Sequence, residues 1–317
     1  MKFAIVGAGA TGGFLGAHLA RAGEEVVLVA RGAHLVAMRE RGVTIRSGGE
    51  EFTARPECTD DLGAIGAAEV VVLTLKAHAI PAVAAAIGAA LSADACVVGA
   101  QNGIPWWYFE DRHLEAVDPG GVIARSIPYR RVVGCIVYPA TRIVEPGVIE
   151  HLEGNRFTLG EPDGSRSERV QAIAAALIRA GLKAPIQQRI RNELWLKLLG
   201  NATLNPVSAL TGATLAEIVT SDATREVVRR LMEEVDAVAA ALGVEVPLSI
   251  EKRIAGVTAA GPHRTSMLQD LEAGRPLEVE ALLGAVVELA GGEGLEVPAL
   301  RTLYGLTLLL DEVSRRS

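Results

Sequence analysis

The chain has 317 residues, a formal net charge of −7 and a composition that is 50% hydrophobic. This length favours two domains, and an acidic balance without a lysine- and arginine-rich block argues against nucleic-acid binding. No apolar run approaches the roughly 20 residues of a membrane span, and the N-terminus lacks a signal-peptide layout, so we expect a cytoplasmic protein with no membrane partner.

The first half of the chain alternates short, valine-rich stretches with alanine- and leucine-rich helical ones. This pattern is typical of a parallel sheet with crossover helices. The turns at Pro139 and at Pro146-Gly147 separate two of the later strands. The predicted strands are 2–6, 25–30, 69–75, 95–99, 132–137, 147–152 and 182–186, and the predicted helices are 11–22, 80–90 and 166–180.

From about Gln188 onward the pattern predicts helices only, and the first of them should stop before Pro206. We therefore predict an α/β protein with an N-terminal parallel-sheet domain, 1–187, followed by an all-helical domain, 188–317. The predicted helices are 192–205, 222–242, 263–273, 278–289 and 298–314, and the apolar face of the second consists of Val227, Val228, Leu231, Val235, Val238 and Leu242.

Residues 7–12 spell a G-x-G-x-x-G motif between a predicted strand and a predicted helix. In a Rossmann-type domain the glycines allow a tight turn and a close approach to a pyrophosphate, and the helix N-terminus offers N–H groups to its oxygens. The alternative is an ordinary glycine-rich turn. The predicted cofactor-binding residues of this loop are Gly7, Ala8, Gly9, Ala10, Thr11 and Gly12.

The end of the second strand indicates which dinucleotide is bound. An acidic residue there would hold the ribose hydroxyls of NAD, but the sequence reads Val29-Ala30-Arg31-Gly32. The planar guanidinium of Arg31 suits the 2′-phosphate of NADP, so we predict NADPH as the cofactor. The alternative is a solvated surface arginine.

Two further strand ends carry polar residues. Lys76 follows one buried strand, and Gln101-Asn102-Gly103 follows the next. Because the carboxyl ends of parallel strands meet at one edge of a sheet, Lys76 and Asn102 are candidates for the rim of a cofactor and substrate site. The alternatives are a lysine that reaches into solvent and an ordinary Asn-Gly turn.

A polar stripe marks the first C-terminal helix. Lys197, Asn201 and Asn205 recur every four residues and share one face of a mostly apolar helix. Asparagine is a poor helix former, so two of them on one face indicate a functional cleft more than a solvated stripe.

Together these motifs resemble the ketopantoate reductase family, which reduces 2-dehydropantoate to pantoate with NADPH in pantothenate biosynthesis. The resemblance covers the whole chain: 7–12, Arg31, Lys76, 101–103, the stretch from Trp195 to Pro206, 266–270 and 274–278. It implies that Lys197 is the general acid and that Glu278 is its acidic partner near the substrate.

By the same resemblance, a group of polar side chains binds the substrate, a small 2-keto acid, and Lys76 and Asn102 lie between the nicotinamide and that substrate. Asp270 would be a supporting residue. Ser266 and Asp270 could instead be helix-start and surface residues, and Glu278 an acid favoured at a helix N-terminus. The substrate-binding residues implied are Asn102, Asn201, Asn205 and Ser266.

The predicted chemistry agrees with these roles. Hydride transfer to the C2 ketone leaves an alkoxide, which needs a proton or a fixed positive charge beside it. A lysine supplies both, and a nearby carboxylate keeps it oriented and charged.

Two departures from the family bear on the substrate. After Asn102-Gly103 the chain inserts residues 104–131, which include Trp106, Trp107, Tyr108 and Phe109. These rings form either a hydrophobic plug, a homodimer contact or a wall that adapts the pocket to another, bulkier 2-keto acid. Leu283 stands where the family often has asparagine, and we expect it to affect packing.

Two alternatives to ketopantoate reduction therefore stay open. One is the same chemistry on a bulkier 2-keto acid, and the other is an NADP-binding regulator without turnover. The three cysteines, Cys58, Cys96 and Cys135, are far apart and predict free thiols, and the histidine spacing predicts no metal site.

Overall fold

The computed structural model describes residues 1–259 and 263–316. The chain forms two compact units, which we call unit 1 and unit 2. Unit 1 is Met1–Gln101, Trp106–His113 and Gly120–Ile190, and unit 2 is Asn102–Pro105, Leu114–Pro119 and the described residues from Arg191 onward. The division into domains 1–187 and 188–317 stays a prediction, because compactness alone does not show independent folding.

Unit 1 contains eleven strands and five α-helices within the described residues. The strands are β1 (Lys2–Val6), β2 (Glu25–Val29), β3 (Val43–Ser47), β4 (Glu50–Ala54), β5 (Glu57–Thr59), β6 (Val70–Leu73), β7 (Cys96–Gly99), β8 (Val132–Val137), β9 (Ala140–Glu145), β10 (Val148–Glu153) and β11 (Phe157–Gly160). The helices are α1 (Ala10–Arg21), α2 (Gly32–Arg41), α3 (Pro81–Ala90), α4 (Val122–Ser126) and α5 (Glu168–Arg179).

Seven of these strands form one sheet in the order β11-β8-β7-β6-β1-β2-β5. All neighbouring pairs in it are parallel except β11 and β8. Every residue of β6, β7 and β8 is buried, as their valine-rich sequences predict for strands covered on both faces. The predicted N-terminal parallel sheet is confirmed.

A second sheet, in the order β4-β3-β10-β9, was not expected in full from the sequence. Only β10 was predicted, because β4 and β9 carry charged and largely exposed residues without an apolar run. The strand predicted at 182–186 is wrong. That segment makes only isolated bridges beside β11, through Lys183 and Ile186, and Pro185 between them has no N–H to donate.

Unit 2 is helical, as predicted. A π-helical turn, Glu280–Gly284, precedes the helix Ala285–Gly292. The α-helices of the described residues are α6 (Ile190–Thr211), whose first residue belongs to unit 1, α7 (Leu215–Thr220), α8 (Asp222–Ala241), α9 (Ile250–Ala259), α10 (Ser266–Glu272), α11 (Ala285–Gly292) and α12 (Pro298–Ser314).

Three helix predictions need correction. Helix α6 does not stop at Pro206 but continues to Thr211, because buried residues on both sides of the proline hold the helix by packing. Val227 is 48% exposed and does not belong to the buried face of α8. Helix α10 begins at Ser266 and not at residue 263, because the Thr265 side chain caps it by accepting from the Leu268 amide.

No helix within the part of the chain that the structure describes is long and apolar enough to cross a bilayer. Cys58, Cys96 and Cys135 form no disulfide with one another. Residues 1–259 and 263–316 contain no group of three or more His, Cys, Asp or Glu side chains placed to hold a metal ion.

Candidate active site

The glycine loop connects β1 to α1 in unit 1. Gly7 has a φ of +99° and follows the last residue of β1, and its amide and that of Ala8 both donate to the Val29 carbonyl, at 3.1 and 2.9 Å. A Cβ on Gly7 would lie 2.7 Å from the Leu75 amide nitrogen. The loop therefore needs glycine at this position for its backbone angle and for space.

Helix α1 begins at Ala10 without a side-chain cap and without an acidic residue in its first turn. The amides of a first turn have no carbonyl partners within their own helix. This helix end can therefore donate to the oxygens of a phosphate group. Gly12 keeps the turn compact, since a Cβ there would lie 2.6 Å from the Gly7 carbonyl oxygen.

A cavity of about 440 Å³ opens at the carboxyl ends of β1, β2 and β6. It brings together five of the predicted cofactor residues, and its size and donor set fit part of a dinucleotide. The first turn of α1, which contains Ala10, Thr11 and Gly12, does not line this cavity. The lining residues used below are Gly7, Ala8, Gly9, Arg31, His34, Asp60 and Lys76.

His34 and Asp60 line this cavity and were not found from the sequence. The amide of Gly147 donates to His34 Nδ1 at 3.0 Å, so the proton of the neutral ring sits on Nε2. Burial lowers the pKa of His34, which favours this neutral form. Neither residue belongs to a motif, and only the strand pairing of unit 1 shows that Asp60 lies beside β2.

Lys197, Asn102 and Glu278 are joined by hydrogen bonds in unit 2. The ammonium of Lys197 donates to Asn102 Oδ1 at 2.7 Å. The amide nitrogen of Asn102 donates to Glu278 Oε2 at 3.3 Å. Asn102 therefore links the two residues that the resemblance gives catalytic roles, and its predicted part in cofactor binding stays a prediction.

The loop that carries Asn102 is fixed on the π-helical turn. The Ile104 amide donates to the Ala281 carbonyl at 2.8 Å. Gly103 has a φ of +82°, and a Cβ there would collide with the same carbonyl. Leu283 is fully buried in this turn, in agreement with its predicted effect on packing.

Helix α12 holds the segment around Glu278 through two contacts that the sequence did not predict. The Leu277 amide donates to Asp311 Oδ1 at 2.9 Å. The Tyr304 hydroxyl lies 3.0 and 2.9 Å from the two carboxylate oxygens of Glu280. Burial, together with this bond to Glu280, raises the pKa of Tyr304 to about 12, so the hydroxyl remains a donor.

The remaining predicted substrate residues also lie in unit 2. Asn205 is 8% exposed, and its amide donates to the Ser266 hydroxyl at 3.5 Å. Asn201 is half-buried one turn before it on α6. Asp270 pairs with Arg275 at 2.8 Å across the turn after α10, which gives it a structural contact in the loop that leads to Glu278.

The four aromatic residues of the insertion belong to unit 1. Trp106, Trp107 and Tyr108 are each at most 5% exposed, and Phe109 is half-buried. The Trp107 ring covers two glycines of the sheet, since Cβ atoms on Gly99 and Gly134 would lie 2.5 and 2.6 Å from it. For the three buried rings, this placement supports the plug among the alternatives.

Comparison with known proteins adds the family. The profile of "Ketopantoate reductase PanE/ApbA" matches residues 3–164, and that of "Ketopantoate reductase PanE/ApbA C terminal" matches residues 189–310. The chain belongs to the ketopantoate reductase family. This family consists of NAD(P)-dependent oxidoreductases.

Individual ketopantoate reductases are similar over nearly the whole chain. A 2-dehydropantoate 2-reductase of Mesorhizobium japonicum is 48% identical over 297 residues, which cover 91% of each chain. The structure of a candidate ketopantoate reductase from Ralstonia solanacearum MolK2 superposes with a TM-score of 0.94 at 42% identity, covering 99% of this chain and 98% of that one. A 2-dehydropantoate 2-reductase from Methylococcus capsulatus gives a TM-score of 0.83 at 30% identity, with coverage of 100% and 99%.

Proposed function

We propose that this protein reduces 2-dehydropantoate to pantoate with NADPH, in pantothenate biosynthesis. The observation that carries the proposal is the hydrogen-bonded series Lys197–Asn102–Glu278, which presents a lysine ammonium held by an amide and backed by a carboxylate. Membership of the ketopantoate reductase family supports the same substrate, because its similar relatives carry that name.

NADPH is the proposed form of the cofactor. Its phosphates fit the glycine loop and the first turn of α1, and its 2′-phosphate fits the guanidinium of Arg31 at the end of β2. Lys76 lines the same cavity and adds a second cation. When bound, the reduced nicotinamide supplies the hydride for the C2 ketone.

Lys197 is the proposed general acid. Its Nζ holds a proton for the alkoxide oxygen that develops on the substrate, and its positive charge stabilises that oxygen before the transfer. The side-chain oxygen of Asn102 accepts a hydrogen bond from one of the three Nζ–H groups and so fixes the direction of the other two. Glu278 accepts a hydrogen bond from the Asn102 amide and so orients it toward the lysine.

Asn201, Asn205 and Ser266 are the proposed substrate-binding residues. Their amide and hydroxyl groups can donate to the carboxylate of a small 2-keto acid and can exchange hydrogen bonds with its hydroxyl group. The contact between Asn205 and Ser266 brings two of these groups within reach of one ligand.

The other two hypotheses have less support. The aromatic insertion suggests a bulkier 2-keto acid, but three of its four rings are buried, and that of Trp107 covers glycines of the sheet in unit 1. A regulator without turnover would have no use for a lysine held by an amide that a carboxylate orients. Location in the cytoplasm and assembly as a homodimer stay predictions, which cell fractionation and light scattering would check.

A panel of 2-keto acids, assayed by the loss of reduced-nicotinamide absorbance, tests the proposal. We expect 2-dehydropantoate with NADPH to give the highest kcat/KM. A higher kcat/KM for an aromatic or long-chain 2-keto acid would identify that acid as the substrate in place of 2-dehydropantoate. Binding of NADPH without turnover of any member of the panel would favour the regulator.

A further inference from the structure

Two residues of opposite charge are among those that line the cofactor cavity. Arg31 follows β2, and Asp60 follows β5. The two strands are parallel neighbours, with Val29 opposite Thr59, and the Ala30 amide donates to the Thr59 carbonyl at 2.9 Å. The pairing of the strands thus puts a carboxylate next to the position where the sequence had shown only an arginine.

Asp60 is held by an arginine of α2. Arg39 donates from Nε to the Cys58 carbonyl and from Nη2 to Asp60 Oδ1, both at 2.9 Å. The two side chains are 48% and 62% exposed, so their ion pair adds little to the stability of the fold. What the pair does is set the position and the local charge of a carboxylate at the cavity wall.

The end of the second strand of a Rossmann sheet is where the adenosine ribose of a dinucleotide is recognised. A carboxylate there can accept a hydrogen bond from the 2′-hydroxyl of NADH, and it repels the 2′-phosphate of NADPH. Arg31 has the opposite effect, because its guanidinium attracts the phosphate. The two residues therefore act against each other in the choice of cofactor.

We propose that Asp60 is a second specificity-determining residue, which limits the preference for NADPH that Arg31 provides, and that Arg39 offsets the charge of Asp60. The proposal rests on the proposed use of NADPH. It makes the selectivity of the site a balance of three charges, of which Arg31 alone was evident from the sequence.

The test measures the Kd of NADPH and of NADH by fluorescence or calorimetry, without substrate. Asp60→Asn keeps the shape of the side chain and an oxygen for Arg39, but it removes the charge. We expect the preference for NADPH to rise about tenfold, the effect of one charge several ångströms from a phosphate in a solvent-exposed site. Arg39→Gln should lower the preference for NADPH several-fold, because the charge of Asp60 is then no longer offset. Arg39→Lys keeps the positive charge and should therefore keep most of the preference.

The opposite signs separate this proposal from a purely structural role. If the Arg39–Asp60 pair only stabilised the fold, replacing either residue would change the preference for NADPH in the same direction. The matched control is the exposed pair Arg46–Glu51 between β3 and β4, at 2.6 Å, where Arg46→Gln and Glu51→Gln should leave both Kd values unchanged. Thermal unfolding of each variant verifies that it is folded.

An unchanged preference in both Asp60→Asn and Arg39→Gln, or shifts of the same sign, would overturn the proposal. Because binding is measured without turnover, its failure is distinct from that of the proposed function. If the variants show the expected shifts in cofactor preference but the protein reduces no 2-keto acid, the role of Asp60 would stand and the proposed reductase activity would be contradicted.

Discussion

The ammonium group of Lys197 donates a hydrogen bond to the side-chain oxygen of Asn102 over 2.7 Å. Asn102 thereby connects the proposed acid to Glu278, and removing it should leave the lysine without a fixed direction. We expect Asn102→Ala to lower kcat about 10- to 100-fold, less than the range for loss of a general acid itself. Steady-state kinetics with 2-dehydropantoate checks this, with Asn192→Ala at the beginning of α6 as a control that should retain normal kcat. An Asn102→Ala enzyme with normal kcat would show that the link has no role.

Gly103 should be needed both for the stability of the fold and for the activity. Alanine there would have to adopt a left-handed φ, which costs about 1–2 kcal/mol, and would also collide with the Ala281 carbonyl. Gly103→Ala should therefore lower both the free energy of unfolding, measured with urea, and kcat.

Gly181 is a matched control for this prediction, because its φ is +81° and no atom beyond its chain neighbours lies within 4 Å of the Cβ position. Gly181→Ala should show the loss of stability alone. Equal kcat values for the two variants would contradict the proposed anchoring of the Asn102 loop.

The sequence predicted the valine-rich buried strands β6, β7 and β8 and missed strands without such a run, among them the charged β4 and the short, buried β11. The bounds of β8 were predicted correctly because all of its residues are buried, whereas the charged and exposed residues of β4 gave no strand pattern. The helix α6 continues through Pro206 because its packing outweighs the local effect of the proline, which the sequence pattern alone does not reveal.

Only some residues of the candidate site could be predicted from the sequence. Residues in recognisable motifs, such as Lys197 and Arg31, could be proposed from spacing. Asp60, Tyr304 and Asp311 could not be proposed, because they reach their partners through tertiary contacts between distant segments. The roles of the site residues stay predictions that the variants described here would test.

Arg31 should determine most of the affinity for NADPH. Because its guanidinium is proposed to bind the 2′-phosphate, Arg31→Ala should weaken NADPH binding about tenfold or more and leave NADH nearly unaffected. Direct titration of both dinucleotides measures this, and Arg41→Ala at the end of α2 is a control outside the cavity. Equal weakening of both dinucleotides would assign Arg31 to some other part of the cofactor or to the fold.

Stability should fall as the pH is lowered from neutrality. Burial lowers the pKa of both His18 and His34 in the folded protein. The unfolded chain then binds more protons once the pH falls below the ordinary histidine value of about 6.5, which favours unfolding. We expect a lower Tm at pH 5.5 than at pH 7.5, and a smaller difference in His34→Asn. A Tm that rises over this interval would contradict the inferred direction of the shifts.

Reduction of 2-dehydropantoate by NADPH, compared between the unmodified protein and Lys197→Ala, tests the central claim most directly. Lys197→Ala should lower kcat roughly 100- to 10,000-fold while the Kd of NADPH stays unchanged, and Lys252→Ala in α9 should match the unmodified protein. Near-normal turnover by a folded Lys197→Ala variant would contradict the assignment of the acid. Failure of the unmodified protein to reduce 2-dehydropantoate would contradict the proposed reaction as a whole.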